Sequence, residues 1–200
     1  MKLRGLYAIT PEAADADTLM RQVSAALDGG IALLQYRRKK LAGMQEATAL
    51  AALCRGRGVP FIVNDDLALA LACGADGLHL GRGDGDIAAA RMRLVGKVLG
   101  VSCYDSLDAA RAAVAAGADY VAFGSVFASP TKPGAVRAPL SLFAEAGPLG
   151  VPRVAIGGIT LENAPQLLAA GADGLAVISD LFDAPDIAAR ARAYGKLFRP

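Results

Sequence analysis

Apolar residues fall along this chain in short unbroken runs, such as Leu6-Tyr7-Ala8-Ile9 and Ile31-Ala32-Leu33-Leu34, rather than in strict alternation. Consecutive apolar positions suit strands buried on both faces of a parallel sheet, where helices cover each side. The runs predict strands near residues 5–10, 31–36, 60–64, 77–81, 97–102, 120–125, 153–157 and 174–178. Amphipathic Ala/Leu-rich segments between them predict helices near 12–28, 44–57, 66–73, 86–93, 106–116, 141–146, 161–170 and 184–198. Several of the apolar runs end in polar residues. The sharpest case is the second, which passes directly into Gln35-Tyr36-Arg37-Arg38-Lys39-Lys40.

A repeat organises these segments. Ala72-Cys73-Gly74-Ala75-Asp76-Gly77-Leu78-His79-Leu80-Gly81 matches both Ala115-Ala116-Gly117-Ala118-Asp119-Tyr120-Val121 and Ala169-Ala170-Gly171-Ala172-Asp173-Gly174-Leu175. A weaker copy runs from Leu27 to Leu34. In each, a helix ends at a glycine able to take the left-handed C-cap conformation, and a turn leads into a buried strand. Eight such units favour a single-domain (β/α)8 TIM barrel over residues 1–200. A doubly wound open sheet would be expected to carry a Gly-rich turn after its first strand, where this chain has Thr10-Pro11-Glu12. The longest loop, residues 126–139, contains Ser129-Pro130-Thr131-Lys132-Pro133-Gly134 and is the best candidate for a functional loop.

In a barrel of this type the chemistry gathers at the C-terminal ends of the strands. Those ends offer Tyr7 and Thr10, then Gln35, Arg37 and Lys39, then Asn64, Asp65 and Asp66. They continue with His79, Asp84 and Asp86, with Ser102 and Tyr104, and with Ser125, Ser129, Thr131 and Lys132. Gly157, Gly158 and Ser179 close the circle. Asp65 and Asp84 belong to neighbouring units, and two close carboxylates repel unless a cation or proton lies between them. Oxygen ligands beside phosphate are the usual setting for Mg2+. Taken alone, Asp65 also suits the N-cap of the next helix and Asp84 a turn. Arg37, Lys39 and Lys132 would surround a strongly anionic group. Separately, Ile156-Gly157-Gly158-Ile159-Thr160 and Ile178-Ser179 occupy the usual phosphate site of such barrels. Two anion sites imply two phosphorylated ligands, or one phosphorylated at both ends. Alternation places Gly77, His79 and Gly81 on one face of the fourth strand, so the glycines are expected to leave open space beside the imidazole.

Charge and composition narrow the partners. Lys+Arg 21 against Asp+Glu 19 leaves net +2, too balanced for a general nucleic-acid or membrane-surface binder. Aromatics make up only 6% and tryptophan is absent, which argues against a base-stacking platform. No signal peptide or bilayer-spanning run is visible. Cys54, Cys73 and Cys103 have no metal-ligand spacing and cannot all pair, so a reducing cytoplasmic setting is expected.

The ordered set Leu6-Tyr7-Ala8-Ile9-Thr10, Gln35-Tyr36-Arg37-Arg38-Lys39, Val63-Asn64-Asp65, His79-Leu80-Gly81 with Asp84, Gly100-Val101-Ser102, Thr131-Lys132, Ala155-Ile156-Gly157-Gly158-Ile159 and Val177-Ile178-Ser179 closely resembles the thiamine-phosphate synthase family. The likeness spans essentially the whole chain. It implies a transferase that joins a hydroxymethylpyrimidine diphosphate to a thiazole phosphate, or its carboxylated form, and releases diphosphate with Mg2+ assistance. By the same resemblance Arg37, Lys39 and Lys132 act on the departing diphosphate, and Asp65 and Asp84 hold the metal. Gln35 and Asn64 contact the diphosphate and pyrimidine, Ser102 the pyrimidine, and Tyr7 and His79 flank its ring. Tyr36 and Arg38 extend this substrate-binding wall, whereas Ser129, Thr131, Gly158, Ile178 and Ser179 form the thiazole-phosphate site. Small molecules are then the expected partners, and self-association into a homo-oligomer is compatible with the reading.

This chain departs from the family's common pattern in several places. Arg82-Gly83 stands where Gln and an acid are frequent, Ser129 where Thr is, Tyr104 where His is, and Asp180 where a small residue is usual. An acid at 180 would weaken a neighbouring phosphate site unless it points away. Two other readings use the same barrel. A thiazole tautomerase-like isomerase would need neither the diphosphate clamp nor the carboxylate pair. A non-catalytic phosphate-binding barrel would have no reason to keep the cations.

Overall fold

The computed structural model describes residues 3–12, 15–38, 43–128 and 137–199. Eight parallel strands close into one barrel in sequence order, each hydrogen-bonded to its chain neighbours and β1 to β8. They are β1 Gly5–Ile9, β2 Leu33–Tyr36, β3 Phe61–Asn64, β4 Gly77–Leu80, β5 Val98–Tyr104, β6 Tyr120–Phe123, β7 Arg153–Ile156 and β8 Gly174–Val177. The helices are α1 Ala16–Asp28, α2 Met44–Arg55, α3 Leu67–Ala72, α4 Ile87–Arg93, α5 Leu107–Ala115, α6 Ser141–Glu145, α7 Ala164–Ala169, α8 Ser179–Phe182 and α9 Ile187–Lys196. The (β/α)8 barrel expected from the apolar runs is therefore the fold. No helix among the described residues is long and apolar enough to cross a membrane.

Capping chemistry sets many of the helix starts. Asp15, Asp66, Asp86, Ser106 and Asp186 each precede a helix and accept a hydrogen bond from the backbone N–H three residues on. Two apolar layers follow from the period-two strands. Leu6, Leu34, Val63, Leu78, Val101, Val121 and Leu175 face outward and pack under the helices. Leu3, Tyr7, Ile9, Leu33, Ile62, Tyr120, Ala122, Val154 and Ala176 fill the barrel itself.

The repeated aspartate has a structural task at the strand entrances. Asp76, Asp119 and Asp173 stand just before β4, β6 and β8. Their Oδ2 atoms accept from the backbone N–H of Phe61 (2.8 Å), Leu99 (2.7 Å) and Arg153 (2.9 Å), near the start of the strand before. Each also donates its own N–H to the same residue's carbonyl. The weaker copy puts Ala32 at the corresponding place before β2, where its N–H donates to Leu6 O and its methyl lies against Gly5. Pairing at the entrance thus fixes the register of strands whose other ends carry the polar residues.

The last βα unit differs from expectation. The sequence predicts a helix only from residue 184, yet the short α8 begins at Ser179, directly after β8. Residues 126–139 span the loop after β6, of which 126–128 and 137–139 are among the described residues.

Candidate active site

The C-terminal ends of β2 and β3 frame a cleft of about 650 Å3 lined by Tyr36, Arg37, Arg38, Val63, Asn64, Asp65, Asp66, Leu67 and Leu69. Arg37 is set by the buried Thr10, whose Oγ1 accepts from the Arg37 N–H (2.9 Å) and donates to the Arg37 carbonyl (3.3 Å). Its guanidinium is partly exposed and pairs with Glu12 at 3.4 Å. Arg37 also attracts the Asp65 carboxylate. Tyr36 and Arg38 line the same cleft, but their polar ends turn to Glu46. Arg38 meets that carboxylate through Nε (2.9 Å) and Nη2 (2.8 Å), and the Tyr36 hydroxyl donates to it at 2.7 Å. The ion pair is nearly covered, 7% and 12% exposed, and ties the end of β2 to α2. A charge held in a forked, shielded pair is not available to a ligand on the terms that Arg37 is.

Asp65 and Asp84 come together. The helix that follows β3 takes Asp66 as its N-cap, through the Leu69 N–H at 2.8 Å, which releases Asp65 from that duty. Asp65 adopts a left-handed backbone with φ 63. That conformation is uncommon outside glycine and re-aims its side chain at the strand end. Its carboxyl reaches Asp84 and accepts from Asn64 Nδ2 at 2.5 Å. Burial, and then contact with Asp84, push its pKa up to about 6. Asp84 also closes its own turn by accepting from the Gly81 N–H at 3.1 Å, so the turn expected of it and the pairing with Asp65 coexist. Two carboxylates in contact with an arginine alongside form a site that a divalent cation would relieve of its repulsion.

Arg82 and Tyr104 brace this turn. The Arg82 N–H donates to the Tyr104 hydroxyl at 3.1 Å, and the Arg82 guanidinium lies over the Tyr104 ring at 4.6 Å. Tyr104 itself is left-handed, φ 56, after an irregularity in the β5–β6 ladder. The two departures from the common pattern thus answer one another across the Asp84 turn.

Beneath the cleft, polar side chains inside the barrel form one continuous hydrogen-bonded chain. Gln35 Nε2 donates to the Tyr7 hydroxyl (2.7 Å), and the Tyr7 and Tyr120 hydroxyls meet at 2.8 Å. The Tyr120 hydroxyl meets His79 Nδ1 at 2.9 Å, and His79 Nε2 meets Ser102 Oγ at 2.8 Å. Burial lowers the imidazole pKa to about 4, so His79 is neutral near pH 7. The same burial raises the phenol of Tyr7, and Tyr120 is raised likewise. Asn64, His79, Gly100 and Tyr120 stand in one register row across β3, β4, β5 and β6. Gly100 makes the chain possible. A Cβ there would lie 2.0 Å from Tyr120 Cζ, so the ring leans across Gly100 to stack on His79 at 5.6 Å.

The open space expected beside His79 is absent. A Cβ at Gly77 would meet Val98 O at 2.2 Å and Ile62 Cδ1 at 2.8 Å, while at Gly81 it would meet Asp84 Oδ2 at 2.6 Å. The glycines of β4 admit neighbours rather than leave a void. Tyr7 and His79 accordingly form the floor under the cleft, 1% and 6% exposed. Tyr120 escaped the sequence reading because it looks like one more apolar strand residue. Its signal was a glycine at the register-matched position of the preceding strand.

On the far side of the mouth, Gly157 and Gly158 take left-handed φ of 103 and 63. The segment after β6 packs directly on them. A Cβ at Gly157 would strike Ser125 Oγ at 2.2 Å, one at Gly158 Ala128 O at 2.4 Å, and the Phe127 N–H donates to Gly157 O. Asn163 Nδ2 holds Gly158 O at 2.9 Å. Ile178 caps α8 and Ser179 opens it, with Ser179 exposed. Asp180 turns away from this mouth. Arg190 Nη1 lies 2.9 Å from both of its oxygens, and the Tyr194 hydroxyl donates to it at 2.7 Å. Lys39, Ser129, Thr131 and Lys132 lie outside the described residues.

The profile of the thiamine monophosphate synthase family (TMP-TENI) matches residues 6–181. A thiamine-phosphate synthase of Aromatoleum aromaticum is 60% identical over 98% of this chain and 97% of its own length. One from an Azoarcus species is 57% identical, with 98% of each covered. Among solved structures, the thiamine phosphate pyrophosphorylase of Pyrococcus furiosus superposes with a TM-score of 0.84 at 33% identity, covering 98% of this chain and 96% of that one.

Proposed function

The chain belongs to the thiamine monophosphate synthase family and is a transferase, and we propose that it joins 4-amino-2-methyl-5-hydroxymethylpyrimidine diphosphate to 4-methyl-5-(2-phosphoethyl)thiazole, or its carboxylated form, to give thiamine phosphate and diphosphate. The observation that carries this reading is the Asp65–Asp84 pair beside Arg37 at one side of the mouth, facing a separate Gly157-Gly158 turn and Ser179 at the other. One half suits a metal-bound diphosphate and the other a monophosphate. A tautomerase or a silent phosphate-binding barrel has use for the second half only.

Mg2+ fits the carboxylate pair, and when bound there it would neutralise charge on the diphosphate. The protein's own residues then have a simple task. Bond cleavage is dissociative: the C–O bond to diphosphate breaks, and the electron pair leaves with the diphosphate. The pyrimidine-stabilised cation is captured by the thiazole nitrogen. Arg37, with Lys39 and Lys132, stabilises the negative charge that grows on the leaving group. Gln35 and Asn64 orient the pyrimidine end, and Ser102, fixed by His79, contacts it. No nucleophilic side chain is needed. Cys103, the thiol nearest the mouth, is buried with its pKa pushed up to about 12, which keeps it an unreactive thiol. The family resemblance and three free, buried cysteines, Cys54, Cys73 and Cys103, support the cytoplasm as the setting.

The direct test supplies both substrates with Mg2+ to the purified protein and follows thiamine phosphate and diphosphate. Product that appears with Mg2+ and stops with EDTA is the expected result. Folded protein that yields none under either condition overturns the proposal.

Asp180 gives a second test on the other half of the site. Arg190→Ala frees a carboxylate charge next to Ser179, where it would repel a phosphate. The Michaelis constant for the thiazole phosphate should rise about 3–10-fold at low salt, and less at high salt as screening sets in. That for the pyrimidine diphosphate should stay put. Equal changes in both constants would remove Asp180 from the phosphate half of the site.

A further inference from the structure

We propose that the chain Gln35–Tyr7–Tyr120–His79–Ser102 runs in one direction only, and that Tyr120 is a positioning residue that keeps the His79 proton on Nε2. Ser102 is thereby left as a hydrogen-bond donor toward the ligand. The inference rests on the reading of Ser102 as a substrate contact only in its last step. Everything before that is internal to the barrel.

Direction follows from counting protons. Gln35 Nε2 can only donate, so the Tyr7 oxygen accepts. Tyr7 then has one proton of its own and, among the described residues, one remaining hydrogen-bond partner, the Tyr120 hydroxyl. If Tyr120 donated to Tyr7 instead, the Tyr7 proton would be left without a partner at a residue only 1% exposed, an arrangement that costs a buried hydrogen bond. Tyr7 therefore donates to Tyr120. The Tyr120 proton passes in turn to His79 Nδ1, which must be bare to accept it. A neutral imidazole carries its proton on the other nitrogen, so Nε2–H donates to Ser102 Oγ. Burial of the ring, which favours the neutral form, agrees with this. A protonated imidazole would donate at both nitrogens and reverse the tyrosines.

The consequence is chemical selection. With its oxygen occupied by Nε2–H, Ser102 meets a ligand through its own O–H. The ligand atom that pairs with that proton is an acceptor, such as a heteroaromatic ring nitrogen or an anionic oxygen. Tyr120 touches no ligand in this account. It acts through His79, held there by stacking at 5.6 Å and by the clearance over Gly100.

His79 is the only histidine in the chain, so nitrogen NMR of the histidine-labelled, ligand-free protein at pH 7 reads one ring without assignment. A protonated-type Nε2 and a bare-type Nδ1 are expected. The opposite pattern overturns the proposal. Tyr120→Phe keeps the ring and removes the joint. His79 should then shift toward a mixture of tautomers, and the Michaelis constant for the pyrimidine diphosphate should rise about tenfold, the worth of one hydrogen bond. The thiazole-phosphate constant should not change. An unchanged tautomer with unchanged constants also overturns it. Should Tyr120→Phe fail to fold, Tyr7→Phe leaves Nδ1 as the one acceptor for the Tyr120 proton, so Nε2–H should persist, and a shift of the proton to Nδ1 is equally fatal. Because the tautomer is read without substrate, an inactive protein with Nε2–H would sink the proposed reaction and leave this inference standing.

Discussion

Asp84→Asn should cut metal-supported turnover about 100-fold or more while making the metal-free protein more stable above about pH 6. The amide oxygen can still accept from the Gly81 N–H, so the turn survives, but the charge opposite Asp65 is gone. In the wild-type protein Asp65 titrates near 6, above its ordinary 3.8. A carboxyl with a raised folded pKa contributes its full stability below the unfolded value and loses that contribution as pH climbs through the folded one. The wild type, freed of metal, should therefore lose stability between roughly pH 4 and pH 7 on account of this pair, and Asp84→Asn should not. The gain at pH 7.5 should be about 1 kcal/mol, since the pair is only partly buried and water screens it. Turnover should fall about 100-fold or more, equivalent to about 3 kcal/mol of transition-state stabilisation. Thermal unfolding with EDTA, with Mg2+ and across pH separates the two effects. A wild type that gains no stability from Mg2+, or a variant that still does, would break the assignment of this pair as the metal site.

A larger structural effect is expected from Gly100→Ala. Gly100 has no left-handed backbone to protect, so by chain entropy alone alanine would stabilise it by about 0.4–1 kcal/mol. Its neighbour reverses the sign. The added methyl would lie 2.0 Å from Tyr120 Cζ, and that ring is held by His79 on one side and by the Tyr7 edge, at 6.0 Å, on the other. With no room to withdraw, the substitution should cost about 3 kcal/mol, in the range of severe overpacking. Tyr120→Leu in the same background should restore much of the stability, because the two sites couple directly. It should not restore activity, because the chain to Ser102 stays broken. Denaturant unfolding of the two single variants and the double variant measures the coupling, and additive losses would contradict the contact.

Much of this was readable from residues that carry their own local signal. The apolar runs located the strands, and the polar positions at their ends located the mouth, because burial and period-two alternation are properties of one strand at a time. What depended on a neighbouring strand was not readable in the same way. Asp65 and Asp66 are equally good caps on paper, and only the observed Asp66–Leu69 bond decides which is spared for the site. Tyr120 became visible only once its register match with Gly100 was known. The glycines around His79 suggested emptiness, whereas side chains from β3 and β5 and the Asp84 turn had filled it. The four-residue α8 is too short to show helical periodicity at all. Arg38 shows the limit of charge as a clue, since the strand end held two arginines and Glu46 engaged one of them.

The aspartates at the entrances of β4, β6 and β8 bear on how the chain folds. Each ties its strand to the one just before it, across 15 residues between Asp76 and Phe61 and 20 in the other two cases. A slip by one residue in any of these pairs would turn every interior side chain outward, and the local clasp removes that option early. Three strand pairs can therefore find their alignment as independent modules, before the ring is complete. Closure of β1 onto β8 is then the one pairing that spans nearly the whole chain. Loop-closure entropy makes such a contact slow to form, so that seam is where the folding barrier should concentrate.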